Sequence, residues 1–143
     1  MNISDINWLA VLVSSVVFFM IEGIWFGPKT FYPVWQKAMG RSPDETSGSD
    51  MPMGALFGSL FAGIVGQVVA LAVFIELAIK VDPSFGLGHG LLSGFLLALG
   101  LVAGSSLSHR LFSQKKAFTV WVIEVAPDVL CLTVAGAILT LWQ

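Results

Sequence analysis

Four apolar stretches, residues 6–26, 54–79, 86–107 and 118–142, take up most of a chain of 143 residues. A helix needs roughly 20 residues to cross about 30 Å of hydrocarbon, and each stretch is that long. Inside lipid every backbone N–H and C=O must be paired within the protein, so only helices and closed barrels can span. Barrel strands would be about half this length and would alternate in polarity. The pattern predicts an all-α polytopic membrane protein: one domain over 1–143, built from four transmembrane helices. Composition agrees. Charged residues are 11% and hydrophobic ones 56%, against about 25% charged in an average globular chain. Mean hydropathy is +0.86. A chain this short cannot hide that much apolar surface in a water-facing fold. Net charge is −2, with no basic patch for phosphate, so nucleic acid is excluded as a partner. The expected partner is the bilayer.

The connections differ in character. Residues 27–53 open with Gly27-Pro28, a helix stop. Phe31, Trp35 and Met39 then recur at i, i+4, i+8 with Lys29, Lys37 and Arg41 nearby. That predicts a short amphipathic helix over about 30–40, lying in the membrane interface. Ser42-Pro43-Asp44-Glu45 has the form of a capping box, and Thr46 to Asp50 reads as loop. Asp82-Pro83 marks a tight second turn. The third connection, 108–117, is short and basic. The N-terminus carries Asp5 rather than a basic cluster, so the first stretch reads as a retained helix and not a cleaved signal.

Lysine and arginine set the expected orientation. The first loop holds Lys29, Lys37 and Arg41; the third holds Arg110, Lys115 and Lys116; the second holds only Lys80. Six against one places the first and third loops in the cytoplasm and both termini outside, in the inner (cytoplasmic) membrane. Trp8 and Trp142 then fall at the outer boundary, and Trp25, Tyr32, Trp35 and Trp121 at the inner one.

The run Trp25-Phe26-Gly27-Pro28…Phe31…Trp35-Gln36-Lys37…Gly40 resembles a family of small bacterial membrane proteins known only as domain of unknown function 1761. The stretch from Ser105 to Phe112 and the ending Ala135-Gly136-Ala137-Ile138-Leu139…Trp142 are similar to its other signatures. The resemblance implies a four-helix integral membrane protein and brings no activity with it.

Chemistry concentrates in four charged residues inside the spans, Glu22, Glu76, Glu124 and Asp128, all acidic. Each would cost about 2.5–3.5 kcal/mol near the bilayer centre unless paired, solvated or protonated. Glu76 lies one turn from the outer end with Lys80 at i+4, which predicts a boundary salt bridge. Glu22 lies near the inner end, where Arg110 is a candidate partner; Glu124 is also in that cation's range. Glu124 and Asp128 share one helix face. Counted from Phe118 they lie about 9 Å and about 15 Å deep. Pro127 between them leaves the Ile123 carbonyl without its helical donor. Two readings stay open. One makes the two carboxylates and the freed carbonyl a proton or cation site. The other starts the membrane helix at Pro127, with 118–126 along the interface. His109 and Arg110 are candidates for ion pairing or lipid headgroups. Cys131, the only cysteine, reads as a small packing residue. No metal site or cofactor motif is present.

Small residues form ridges at i+4 spacing: Gly54, Gly58, Ala62, Gly66 and Ala70; Gly90, Gly94 and Ala98; Gly100, Gly104 and Ser108. Such ridges let membrane helices approach closely, within a chain or between subunits. Three functional classes remain. The first is an oligomeric transporter or channel-like subunit using the acidic pair for proton or cation coupling. The second is a non-catalytic accessory subunit of a larger membrane complex. The third is a lipid-modifying enzyme around Glu22, His109, Arg110 and Glu124. No catalytic motif is visible.

Overall fold

A computed structural model of the chain describes residues 5–42, 51–112 and 116–142. The described residues form helices and their connections, with no strand among them. Four helical rods, Trp8–Trp25, Met53–Val81, Leu87–Leu111 and Ala117–Leu141, are long and apolar enough to cross a membrane.

Helix α1 (Trp8–Trp25) starts where Asn7 supplies a cap. The Asn7 side chain accepts from the Ala10 N–H at 3.0 Å, and its amide donates to the Trp142 carbonyl, tying the first span to the end of the last. The helix stops at Gly27-Pro28. Thr30 then folds back, its hydroxyl 2.6 Å and 2.7 Å from the carbonyls of Ile24 and Trp25. These are carbonyls that a helix end leaves without intrahelical donors.

Helix α2 (Tyr32–Ala38) has Pro33 in its first turn, where a missing N–H costs nothing. It ends at Gly40, whose φ of 73° needs glycine. The following Arg41 N–H returns to the Gln36 carbonyl at 3.0 Å. The capping box and loop expected over 42–50 lie mostly outside the described residues, as does Lys115.

Helix α3 (Met53–Val81) is the longest. Lys80 in its last turn sits 3.2 Å from Glu76 and 2.6 Å from Asp5. The next turn is held by Asp82, whose carboxylate accepts from the Ser84 N–H at 2.9 Å and the Ser84 hydroxyl at 2.7 Å. Those bonds hold the Asp82 carboxyl below its usual range. His89 acts locally, its Nδ1 accepting from the Gly86 N–H at 3.2 Å.

The third span is α4 (Leu87–Leu97), a π-helical segment (Ala98–Ala103) and α5 (Gly104–Leu111) in one rod. The sequence expectation stops this span at 107. The helix instead carries His109 and Arg110 in its last turn. Hydropathy falls there, but backbone hydrogen bonding continues, and cations suit a helix C-terminus.

Helix α6 (Ala117–Leu141) is unbroken through Pro127, so the reading in which the membrane helix begins at Pro127 is not the one observed. It is the axis of the fold. Val120, Ile123, Cys131, Leu132, Ala135 and Leu139 are buried along it, with α1, α3 and α4 packed around. The closest approach is between α4 and α6. A methyl group built on Gly90 would collide with Thr140, one on Gly94 with the Leu132 carbonyl, and one on Gly136 with the Gly90 carbonyl. The ridge containing Gly90, Gly94 and Ala98 is therefore a helix contact within the chain. The other two ridges are not. Gly54, Gly58, Gly66 and Gly100 meet nothing within 4 Å, and Ala62 is exposed. Spacing creates both kinds of ridge; only the partner helix, α6, distinguishes them.

Candidate functional site

Helices α1, α5 and α6 bring the candidate residues together at the end of the bundle that carries the basic loops, with α2 laid across it. Arg110 on α5 faces Glu124 on α6 and grips it with two bonds, Nε to Oε2 at 2.7 Å and Nη2 to Oε1 at 2.7 Å. The two-pronged geometry matches guanidinium to carboxylate and fixes both. Trp35 on α2 donates its indole N–H to the same Glu124 Oε1 at 2.9 Å. The Arg41 guanidinium lies over the Trp35 ring, 5.2 Å from its centroid, a cation–π contact. Tyr32 stacks on the Trp35 ring itself, 5.8 Å between centroids. Glu124 is thus neutralised and hydrogen bonded. Of the two carboxylates within range of Arg110, it is Glu124 that takes the cation.

The Ile123 carbonyl has a donor too. Pro127 removes the helical N–H, and the Trp25 indole replaces it at 3.0 Å. The expectation that this carbonyl is free to bind a cation therefore fails, because a buried acceptor in lipid is too costly to leave open. A third indole follows the same rule. Trp121 donates to the Ala103 carbonyl at 3.0 Å, where the π-helical register ends. The sequence places these tryptophans at an interface but gives no sign that each one answers a particular acceptor. The irregular points of the backbone, one a proline and one a π-segment, are the physical reason they are needed.

Glu22 and Asp128 remain. Glu22 projects from α1 near the Phe26 end and Asp128 from α6 one turn past Glu124. Each is partly buried. The charge on Asp128 acts on Glu22, that on Glu124 acts on Asp128, and both Glu22 and Asp128 act on Cys131. Neither Glu22 nor Asp128 has a hydrogen bond or ion pair among the described residues. Glu22 lines an apolar cleft of about 300 Å³ with Phe19, Gly23, Phe26, Phe57 and Leu60, which gives it a way out between α1 and α3. Cys131, buried at 1% exposure, places its thiol 3.8 Å from the Phe18 carbonyl.

His109 is exposed and forms no hydrogen bond to the cluster among the described residues. Among those residues no group of three or more His, Cys, Asp or Glu side chains is placed to hold a metal ion. The arrangement is a pair of uncompensated carboxyls in apolar surroundings, next to a compensated one.

Fold and site together define a polytopic helical membrane protein with an acidic cluster carried on its apolar helices. The chain belongs to the family described as protein of unknown function (DUF1761), whose model matches residues 9–140. No curated protein and no solved structure matches it.

Proposed function

We propose that the protein is a membrane subunit that takes up and releases a proton or a monovalent cation at Glu22 and Asp128. One observation carries this reading. Two carboxyls on different helices lie close enough for the charge of Asp128 to act on Glu22, neither has a counterion among the described residues, and the Arg110 guanidinium is spent on Glu124. An uncompensated charge at membrane depth costs about 2.5–3.5 kcal/mol, and a second like charge beside it adds to that. A proton or cation shared between the two groups removes the repulsion, and the cleft beside Glu22 lets it come and go. The Arg110–Glu124–Trp35 clamp holds the stretch of α6 that carries Asp128. Four helices packed on one axis leave little interior for a pathway, so a complete transport route needs further subunits, either copies of this chain or a larger complex. The basic loops are proposed to face the cytoplasm and both termini the outside of the inner membrane.

The test is proton flux into proteoliposomes, read by an entrapped pH dye under an imposed potassium diffusion potential. Wild type should acidify the lumen faster than empty vesicles, and Asp128→Asn and Glu22→Gln should each remove most of the excess. Flux equal to that of empty vesicles, with sodium and potassium tested alongside, would sink the reading and leave the accessory role. Flux unchanged in the double variant would mean the pair is structural.

A further inference from the structure

Glu22 opens onto a cleft of a distinct chemical kind. The cleft, about 300 Å³, lies between α1 and α3 and is walled by Phe19, Phe26, Phe57 and Leu60, with Gly23 at its edge. Glu22 is the single polar side chain among its lining residues. Phe57 and Leu60 are 47% and 49% exposed, and Gly23 is exposed too, so the cleft opens sideways, to lipid in a membrane. Phe19 crosses Phe57 at 85° with centroids 6.3 Å apart, and Phe61 at 88° with centroids 5.6 Å apart. Neither pair is stacked, so ring faces stay available to a guest.

Charge and lining together select that guest. Glu22 has no counterion among the described residues, and the charge of Asp128 acts on it as well, so the cleft favours a positive occupant. A metal cation bound through oxygen needs several such ligands at once, and the lining side chains offer one carboxyl among carbon atoms. An organic cation needs less, because ring faces attract its charge and its apolar body covers the remaining wall. A lipid headgroup amine brings its phosphate with it, and no lining side chain donates to a phosphate. The indoles of Trp25 and Trp35 are already donating, to Ile123 and Glu124. The route agrees with the charge. Glu22 lies about one turn from the end of α1, a depth at which amphiphilic cations keep their charge near the headgroups and their bodies among the chains.

We infer that this cleft binds a small lipophilic organic cation, an aryl-substituted ammonium ion, which enters sideways from the lipid and sets its charge on Glu22 and its body among Phe19, Phe26 and Phe57. Glu22 is here the same cation-holding carboxyl as in the proposed function, on which this assignment rests; the class of guest and its route of entry are added. The volume is near the lower bound of about 300–1,000 Å³ for ligand pockets, which limits the guest to a small aryl body.

Equilibrium dialysis of radiolabelled benzyltrimethylammonium against the full chain, in a nonionic maltoside detergent, tests the site. Wild type should bind saturably, and Glu22→Gln should weaken binding about ten-fold or more. A methyl group at Gly23 meets nothing within 4 Å, so Gly23→Leu should fill the cleft and weaken binding while leaving thermal stability unchanged. Neopentylbenzene, which has the shape of the probe without its charge, should compete at least about ten-fold less well than the unlabelled cation. No saturable binding by wild type, binding unchanged in Glu22→Gln or Gly23→Leu, or equal competition by the neutral isostere overturns the proposal and leaves the cleft to acyl chains. Displacement by phosphatidylethanolamine at matched concentration also overturns it, in favour of a headgroup. Proton flux from the same preparations separates the guest from the reading it rests on. Flux that needs Glu22, without binding of the organic cation, overturns the guest alone; binding without any flux keeps the guest and removes the transport.

Discussion

Single residues in this protein act in compensating pairs, and the pairing of Pro127 with Trp25 is the clearest. A proline in the middle of a helix deletes the hydrogen bond to the carbonyl four residues back. In water that carbonyl would be solvated; in lipid it needs a donor from the protein. The Trp25 indole provides it at 3.0 Å. Trp25→Phe keeps the ring and its stack on Phe31, 4.2 Å between centroids, but leaves the acceptor buried and bare. It should lower stability by about 1–3 kcal/mol. In a Pro127→Ala background the helix regains its own N–H, so the same Trp25→Phe change should cost much less. Unfolding in detergent–denaturant mixtures measures all four corners of that cycle. Equal losses in both backgrounds would show that Trp25 contributes only packing. Much at this scale was legible in the sequence. The spacing of Glu124 and Asp128 on one helix and the acceptor that Pro127 leaves at Ile123 both follow from one stretch of helix. Of the partners only Arg110 was legible, as a cation in range of both Glu22 and Glu124; which carboxylate it takes, and the two indoles, were not. Arg110, Trp35 and Trp25 come from three other elements, and a sequence records no angle between them.

Elements show the same division. Span lengths and stops are local properties, and Gly27-Pro28, Gly40 and Asp82-Pro83 act where chain chemistry puts them. The π-helical segment at Ala98–Ala103 leaves no such mark, since a π-turn needs one extra residue between register-fixing contacts, and those contacts are tertiary. The choice among glycine ridges is tertiary as well. Gly94 has no room for a methyl group, because the backbone of Leu132 and Thr133 occupies the place, whereas Gly54 looks into open space. Gly94→Ala should therefore destabilise the protein by about 1–3 kcal/mol or more, since backbone cannot step aside as a side chain can. Gly54→Ala should be neutral or stabilising by up to about 1 kcal/mol, through helix propensity alone. Thermal unfolding of the two variants side by side decides it, and similar losses would mean that the α4–α6 contact is looser than the geometry describes.

At the scale of the whole molecule the two ends are chemically unlike, and the difference bears on how the protein sits in its membrane. One end gathers Lys29, Lys37, Arg41 and Lys116 around α2 and the start of α6. Arg110 is there too, although Glu124 consumes its charge. The opposite end has a single cation, Lys80, and it lies between Asp5 and Glu76. The asymmetry that governs insertion thus survives local neutralisation, with several solvated cations at one end and none uncompensated at the other. Positive residues in short flanks are retained on the cytoplasmic side, so the α2 end should be cytoplasmic and both termini outside. A fluorescent reporter that matures only in the cytoplasm should stay dark when fused after Gln143, and a periplasm-active phosphatase in the same place should be active. Fusion within residues 43–50 should give the reverse pattern. Exchanging Lys29, Lys37 and Arg41 for glutamine should produce a mixed population, because the remaining cations near α6 then compete with Lys80 alone. A C-terminal reporter that fluoresces in the wild type would invert the protein, and would put the Arg110–Glu124 clamp and the carboxyl pair near the outer rather than the inner leaflet.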